Sequence, residues 1–545
     1  MSKKAVNIKA TFGRAMLLGI ITLLYFGYSY FILRPQVFNR ISLIDDITNQ
    51  VETSEYLKKC IYKKECNDAL SRVFDIGSRR LRPAWWVIGA LTHTGLGENP
   101  TTEHLFRAYG IGFLSVITLA LTCISMGMGG LFLVLASLIY FTNFSFTENI
   151  IRLGPNEPYS VFLLGIFSLL FLEKEKIISK YKIPKKIYYA GLLVILIITL
   201  FIKENTFVVI PAIFIYEAFR VRLRIRKMDW GLIIIPFMFW GMSMIWSYTG
   251  KNLTQDKISG YTSYYVLSLP IFIDNGKAIM NIISNSTMPF LKLIIPLILL
   301  NWVLLKHRKT SFDNRFWYWI AFLFFFTVVL FPWKYILDRY QLMAIWAIAI
   351  VSTYLLKILY ENILAILKLK TTNPYSKYVI QAVVLLILSN LFFRGFPLNL
   401  ARSINYSRFF ESFLYFEKEQ VEAIKSFNSK GVCINSGYML DNSEIYLSIP
   451  KALRYLYNTT PNFYVLENNQ DRCKYLFSRT AVIPLLSKNE LSKMELIESF
   501  SYKIPQINPL FFRESFTMHP LKTIIDTNEY LGDSISLYWE IRKFK

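Results

Sequence analysis

Residues 14–50 read RAMLLGIITLLYFGYSYFILRPQVFNRISLIDDITNQ. The first part is an apolar run of about 20 residues, the length a helix needs to cross a bilayer. Shortly after it come two adjacent carboxylates, Asp45 and Asp46. A chain written this way holds acidic groups close to a lipid surface. Four basic residues precede the run in MSKKAVNIKATFGR, and no small-residue cleavage site follows it. The segment therefore reads as an uncleaved anchor rather than a signal peptide.

The rest of the chain repeats the pattern. Hydrophobic residues make up 54% of 545 positions and charged ones only 18%, with a mean hydropathy of +0.36. A soluble domain carries about 25% charged residues. Apolar runs fall at roughly 14–34, 105–124, 128–143, 157–172, 187–202, 206–219, 230–248, 289–305, 316–332, 340–359 and 377–395. The expected class is thus an α-helical polytopic membrane protein of about eleven spans. Many aromatic residues lie at run ends, as an interfacial belt requires. The net charge of +24 is topological: no basic soluble domain is legible, which excludes a nucleic-acid partner.

Lys and Arg mark cytoplasmic connections. With the N-terminus inside, EKEKIISKYKIPKK (173–186), RVRLRIRKMDW (220–230), KHRKTSFDNR (306–315) and the stretch 357–377 all fall inside, and all are basic. The other side receives loop 35–104, loop 144–156, the Lys203–Glu204 turn, loop 249–288, the turn PWKYILDRY (332–340) and everything after residue 395. The tail, 396–545, is long enough for a small α/β domain. EKEQVEAIKSF has helical periodicity, and GVCIN, NFYVL, AVIPLL and SLYWEI read as strands. Cys60, Cys66, Cys433 and Cys473 all lie on this outer side and Cys123 in a span, which fits two disulfides, although free thiols or a metal site at CIYKKEC remain open.

The spans are nearly free of charge, whereas a transporter of polar solutes carries ionisable groups near mid-membrane. Polar residues gather instead in four outer segments: RISLIDDITNQ (40–50), SRRLRPAWWVIGALTHTGLGENPTTEHLFRAYG (78–110), FTENIIRLGPNEP (146–158), and the paired turns FIKENTFVVIP (201–211) and PWKYILDRYQL (332–342). WWVIGAL is too short to span, which puts Trp85 and Trp86 at headgroup depth. This distribution points to chemistry at the outer interface.

The order of these motifs resembles the GT-C superfamily, integral-membrane glycosyltransferases that use polyprenyl-phosphate-linked sugars. An acidic pair (LIDDI), an R-x-R-P interfacial segment (RRLRPAWW), an RLGPNEP stretch entering a span, a KE turn (IKENTFVVIP) and an RY turn (LDRYQL) follow one another over most of residues 1–395. The tail matches no such pattern. The resemblance implies an inverting transfer from a polyprenyl-phosphate sugar donor to a hydroxyl of an envelope glycan or glycolipid, such as O-antigen, lipopolysaccharide or a wall polymer, in a bacterial inner membrane. It leaves room for a divalent cation such as Mg or Mn, with no legible ligand set.

The chemistry explains the residue types. The donor's leaving group departs as a phosphate anion and needs positive charge, so only the acceptor hydroxyl needs a base. Asp46 or Asp45 is the candidate base; the same pair would also serve to cap a helix beginning at ITNQVETSEYL. Arg339, Lys203, Arg82, Arg152 and Lys334 are candidate phosphate ligands, with lipid-headgroup contact as their other reading. Glu157 and Glu204 can pair with Arg152 and Lys203 or orient the acceptor. Tyr340, Trp85 and His93 are substrate-contact candidates, or belt and surface groups. A polymerase or ligase of lipid-linked oligosaccharides would have a similar outer site, but loop 249–288 lacks the Arg and His it relies on. A flippase for a lipid-linked sugar would need the charged cavity that the spans lack.

Overall fold

The computed structural model describes residues 3–545 apart from 43–46, 75–81, 222–226, 250–267, 288–289, 309–310, 333–336, 369–373, 428–430, 435–440, 466–472, 480–491, 520–521 and 524–526. Each apolar run has a helix at its centre, and shorter helices fall between them. In chain order they include α1 (Lys3–Tyr28), α2 (Pro83–Gly95), α3 (Pro100–Leu105), α4 (Phe113–Ser125), α5 (Leu131–Phe141), α6 (Phe144–Ile151), α7 (Glu157–Leu172), α8 (Lys185–Ile202), α9 (Val209–Val221), α10 (Lys227–Thr249), α11 (Phe290–His307), α12 (Asn314–Val329), α13 (Leu342–Lys368) and α14 (Pro374–Phe427). Among the described residues, four stretches are long and apolar enough to cross a membrane: Gly13–Val37, Pro100–Ser125, Lys185–Ile202 and Asp338–Ala365. The pair α5 and α6, bent by 57°, makes a fifth if it counts as one span, and four shorter apolar helices accompany them.

The core is arranged around α13. Residues Leu342 to Val351 are buried without exception, so this helix is apolar on every side, as a central helix must be. Trp346 meets Trp319 of α12 edge-on, with ring centroids 4.9 Å apart. Small residues set how closely helices approach. At Gly165 of α7 a β-carbon would sit 2.7 Å from Thr118 Oγ1 and 3.2 Å from Trp346, so only hydrogen fits. The turn after α4 closes by glycine: Gly127 takes φ +75°, its N–H donates to Ile124 O, and Met128 N–H donates to Cys123 O. This Schellman pairing satisfies the last carbonyls of the helix and sends the chain back as α5.

Charges gather at the two ends of the bundle. At one end, Lys174 is buried against Glu217 (2.5 Å) and Asp229 (2.6 Å), with Arg220 and the Tyr189 hydroxyl on the same acids. Arg315 joins Asp313, Glu173 and the Ser125 carbonyl. The opposite end carries the first connection, the paired turns and the C-terminal sheet.

That sheet has order β2-β1-β3-β5-β4, with β1 (Val432–Ile434) parallel to β2 (Phe463–Val465) and β3 (Tyr475–Arg479), and β5 (Leu531–Phe544) antiparallel to β3 and β4 (Met494–Ile507). β3 and β4 are absent from the sequence expectation, and AVIPLL lies outside the described residues. β4 is an edge strand, largely exposed; ESFSYKI within it alternates polar and apolar residues, bounded on both sides by register shifts. EKEQVEAIKSF is the end of α14, a helix that runs on unbroken past residue 395. Disulfides join Cys60 to Cys66 and Cys433 to Cys473, and Cys123 is a free, buried thiol. Ile47, from the first connection, is fully buried in the same core as Phe416, Ile449, Trp539 and Ile541.

The close approach at Gly165 generates a stability prediction. Gly165→Val should lower the melting temperature in detergent, since overpacking costs about 1–3 kcal/mol. An unchanged melting curve would show that the contact with Thr118 and Trp346 is loose.

Candidate functional site

The break between α5 and α6 builds the site. The Asn143 side chain accepts a hydrogen bond from Ser145 N–H at 2.9 Å, capping a new helix where the sequence predicts loop 144–156. Ser145 and Asn149 are four residues apart on one face of α6. The Ser145 hydroxyl donates to Asp338 O (2.7 Å), and the Asn149 amide donates to Arg339 O (2.8 Å). Two consecutive carbonyls of the 3-10 turn Asp338–Gln341 are thereby pinned, which fixes where the Arg339 side chain starts. Glu148, on the neighbouring face of α6, has Arg339 and Arg152 as its countercharges. Arg152 is bonded to Tyr406 of α14. Arg402, one turn earlier on α14, lies 3.4 Å from Asp338 and stacks over Phe144 at 4.4 Å.

A second set of contacts holds the segment RLGPNEP. Arg107 donates to the carbonyls of Asn149 (3.0 Å) and Pro155, and its guanidinium lies over Tyr159 at 5.1 Å. Gln50 donates from Nε2 to Leu153 O at 3.1 Å. Asn156 donates to Ile202 O at 2.8 Å. Glu157 then opens α7, where a carboxylate suits the helix N-terminus.

Glu157 meets Lys203, the residue that ends α8, at 2.5 Å. Both are buried, at 3% and 7% exposure, so each requires the other. Burial pushes the Lys203 ammonium below the ordinary lysine range and the nearby Arg82 charge adds to this, against the pull of Glu157. Lys203 Nζ stands 5.0 Å from the Tyr340 ring centre and the Arg339 guanidinium 5.4 Å from it. Arg82 makes a two-pronged pair with Glu204.

The structure therefore brings Arg339, Lys203, Tyr340, Arg152 and Glu157 to one end of the bundle, with the Arg82–Glu204 pair adjoining. Glu157 pairs with Lys203 and Glu204 with Arg82, which exchanges the partners expected from sequence. Two candidates are taken up in packing or pairing. Trp85 is 3% exposed and packs on Tyr159 with ring centroids 5.7 Å apart, because α2 folds into the protein rather than along the lipid surface. His93 is buried and shares a 2.7 Å hydrogen bond with Glu103, a structural pair. Asp45, Asp46 and Lys334 lie outside the described residues, as do Arg79 and Arg80. Among the described residues, no group of three or more His, Cys, Asp and Glu gathers as a metal site. Sequence reasoning missed Glu148, Asp338, Arg402, Tyr406, Arg107 and Gln50. The signal for two pairs was present: Glu148 and Arg152, and Arg402 and Tyr406, are each spaced four apart.

The Lys203–Glu157 pair generates the next prediction. Glu157→Gln or Lys203→Met alone leaves one buried charge unmatched and should cost about 3–5 kcal/mol. The double variant should recover most of that loss in a thermal melt. Additive losses in the two single variants would show the charges to be independent.

No family model and no curated protein matches this sequence. Solved structures do match. The apo oligosaccharyltransferase of Archaeoglobus fulgidus is 9% identical with a TM-score of 0.50, over 85% of this chain and 69% of that one. The same enzyme tethered to an acceptor peptide gives 10% identity and a TM-score of 0.49 over the same shares. ArnT from Cupriavidus metallidurans bound to undecaprenyl phosphate gives 10% identity and a TM-score of 0.45, over 89% of this chain and 96% of that one. At such identities a match speaks for the fold alone, and the apo oligosaccharyltransferase carries it: this chain has a fold similar to that of that enzyme.

Proposed function

We propose that the chain is an inverting glycosyltransferase that moves a sugar from a polyprenyl-phosphate donor to a hydroxyl of an envelope glycan or lipid, such as O-antigen, lipopolysaccharide or a wall polymer. The observation that carries this reading is the pair of cations Arg339 and Lys203, both close to the Tyr340 ring at one end of the bundle. A donor phosphate sits at headgroup level, so its ligands belong at the end of a span. The basic connections at the other end support a cytoplasmic N-terminus and a C-terminal domain facing the periplasm of a bacterial inner membrane.

In the proposed reaction, Asp46 or Asp45 removes the proton from the acceptor hydroxyl. The acceptor oxygen forms a bond to the anomeric carbon while the bond from that carbon to the phosphate oxygen breaks. The electron pair leaves with the polyprenyl phosphate, whose growing charge Arg339, with Lys203 and Arg152, stabilises. Single displacement inverts the anomeric centre. Gln50 supports placing the acidic pair at this end, because it lies four residues after Asp46 and is bonded to Leu153, the neighbour of Arg152. Lys334 and a Mg or Mn ion remain proposals of the resemblance alone. The fold match to an oligosaccharyltransferase favours a second reading, transfer of a lipid-linked oligosaccharide rather than a single sugar.

The test uses the purified chain in proteoliposomes with a panel of radiolabelled polyprenyl-phosphate sugars and envelope extract as acceptor. Asp46→Ala or Asp45→Ala should cut transfer by roughly 10²–10⁴-fold, the scale of a lost general base. Arg339→Ala should cut it by about 10²–10³-fold. Wild-type rates in both aspartate variants would refute the assignment of the base, and transfer only from oligosaccharide donors would select the second reading.

A further inference from the structure

A second cationic site lies where the first span meets the C-terminal domain. Its cavity, of about 900 Å³, opens between the end of the span Gly13–Val37, the α14 segment after Ile404, and β4. A space of this size holds a phosphorylated sugar or a lipid headgroup. Its charged lining is Arg34, Arg40, Arg408 and Lys418 against Glu411, with Lys418 also 3.8 Å from Glu419. None of Arg339, Lys203 and Arg152 lines it, so it is separate from the cluster described above.

Three details show that positive charge is accumulated there at a cost. Arg34 has φ +49°, a left-handed conformation that disfavours a side chain, and it stands directly before Pro35, which restricts it further. Its guanidinium reaches Glu411 at 3.2 Å. Arg408 donates to Asn528 Oδ1 at 2.9 Å, and burial together with Arg34 holds it below the ordinary arginine range, against the pull of Glu411. Arg40 is bonded to the Tyr457 hydroxyl, a neutral group. Like charges brought together in a half-buried cavity repel unless an anion joins them.

We propose that this cavity binds a phosphate-bearing group, entering from the membrane face beside the first span. The site would hold either the headgroup of an anionic lipid or glycolipid or a free phosphate ester. Its chemistry is the same in both cases: guanidinium forks on phosphate oxygens. The proposal does not depend on the sugar-transfer reading.

The experiment is isothermal titration of the full chain in neutral detergent with dioctanoyl phosphatidic acid, using dioctanoylglycerol as the phosphate-free control. Wild type should bind the phosphatidic acid saturably and the control not at all. Arg34→Gln with Arg408→Gln should weaken binding at least roughly tenfold, the loss expected when charge-assisted hydrogen bonds go. Glu411→Gln, which frees Arg34 from its carboxylate, should tighten binding, and this opposite sign keeps the test valid if the double variant folds poorly. Displacement by inorganic phosphate would identify the phosphate alone as the recognised group; lipid binding that phosphate fails to displace would identify the headgroup. Equal binding of the two probes by wild type, or an affinity unchanged in Glu411→Gln, would overturn the proposal.

Discussion

A charge held beside lipid must be matched, and the pairing of Lys203 with Glu157 is where this chain meets that requirement. The two side chains come from the last residue before a turn and the first residue of a helix, each at the edge of an apolar run. Neither tolerates burial alone. Their 2.5 Å contact therefore ties the ends of α7 and α8 together, and Tyr340 and Arg339 settle beside them. The same rule acts at the other end of the bundle, where Lys174 sits between Glu217 and Asp229. These ion pairs thus stand at the two ends of the bundle, with packing around α13 between them.

The second organising contact is the path of the first connection. Ile47 is buried in the core of the C-terminal sheet, while Gln50, three residues on, is bonded to Leu153 of the helical bundle. Glu52 continues the link through Lys451 at 2.9 Å and Arg72 at 3.7 Å. The connection that carries the acidic pair is thereby tied both to the membrane helices and to the C-terminal domain.

The helices were legible because a run of apolar residues long enough to span leaves little else for the chain to do. The grouping of Arg339, Lys203 and Glu157 was legible in outline, since all three stand at the ends of such runs. What the sequence hid has identifiable causes. Glu148 read as part of a loop because Asn143 restarts the helix through a side-chain cap, a local event that hydropathy does not register. Arg402 and Tyr406 read as part of a separate tail because α14 continues beyond its apolar portion without a break. Trp85 looked like an interfacial anchor because a short amphipathic helix reads the same whether it faces lipid or a protein cluster; here Tyr159, Ile111 and Ile202 enclose it. β4 alternates only over ESFSYKI, and the register shifts on either side hide its full length.

In the proposed reaction the cations around Tyr340 receive the phosphate of a lipid-linked donor. The most direct measurement is a cryo-electron microscopy map of the chain in lipid nanodiscs with a polyprenyl monophosphate. Phosphate density is expected within about 3 Å of the Arg339 guanidinium, the distance of a charge-assisted hydrogen bond, with the prenyl chain leaving along the helices. Phosphate density at the Lys174 end, or an ordered lipid with Arg339 turned away from it, would contradict it.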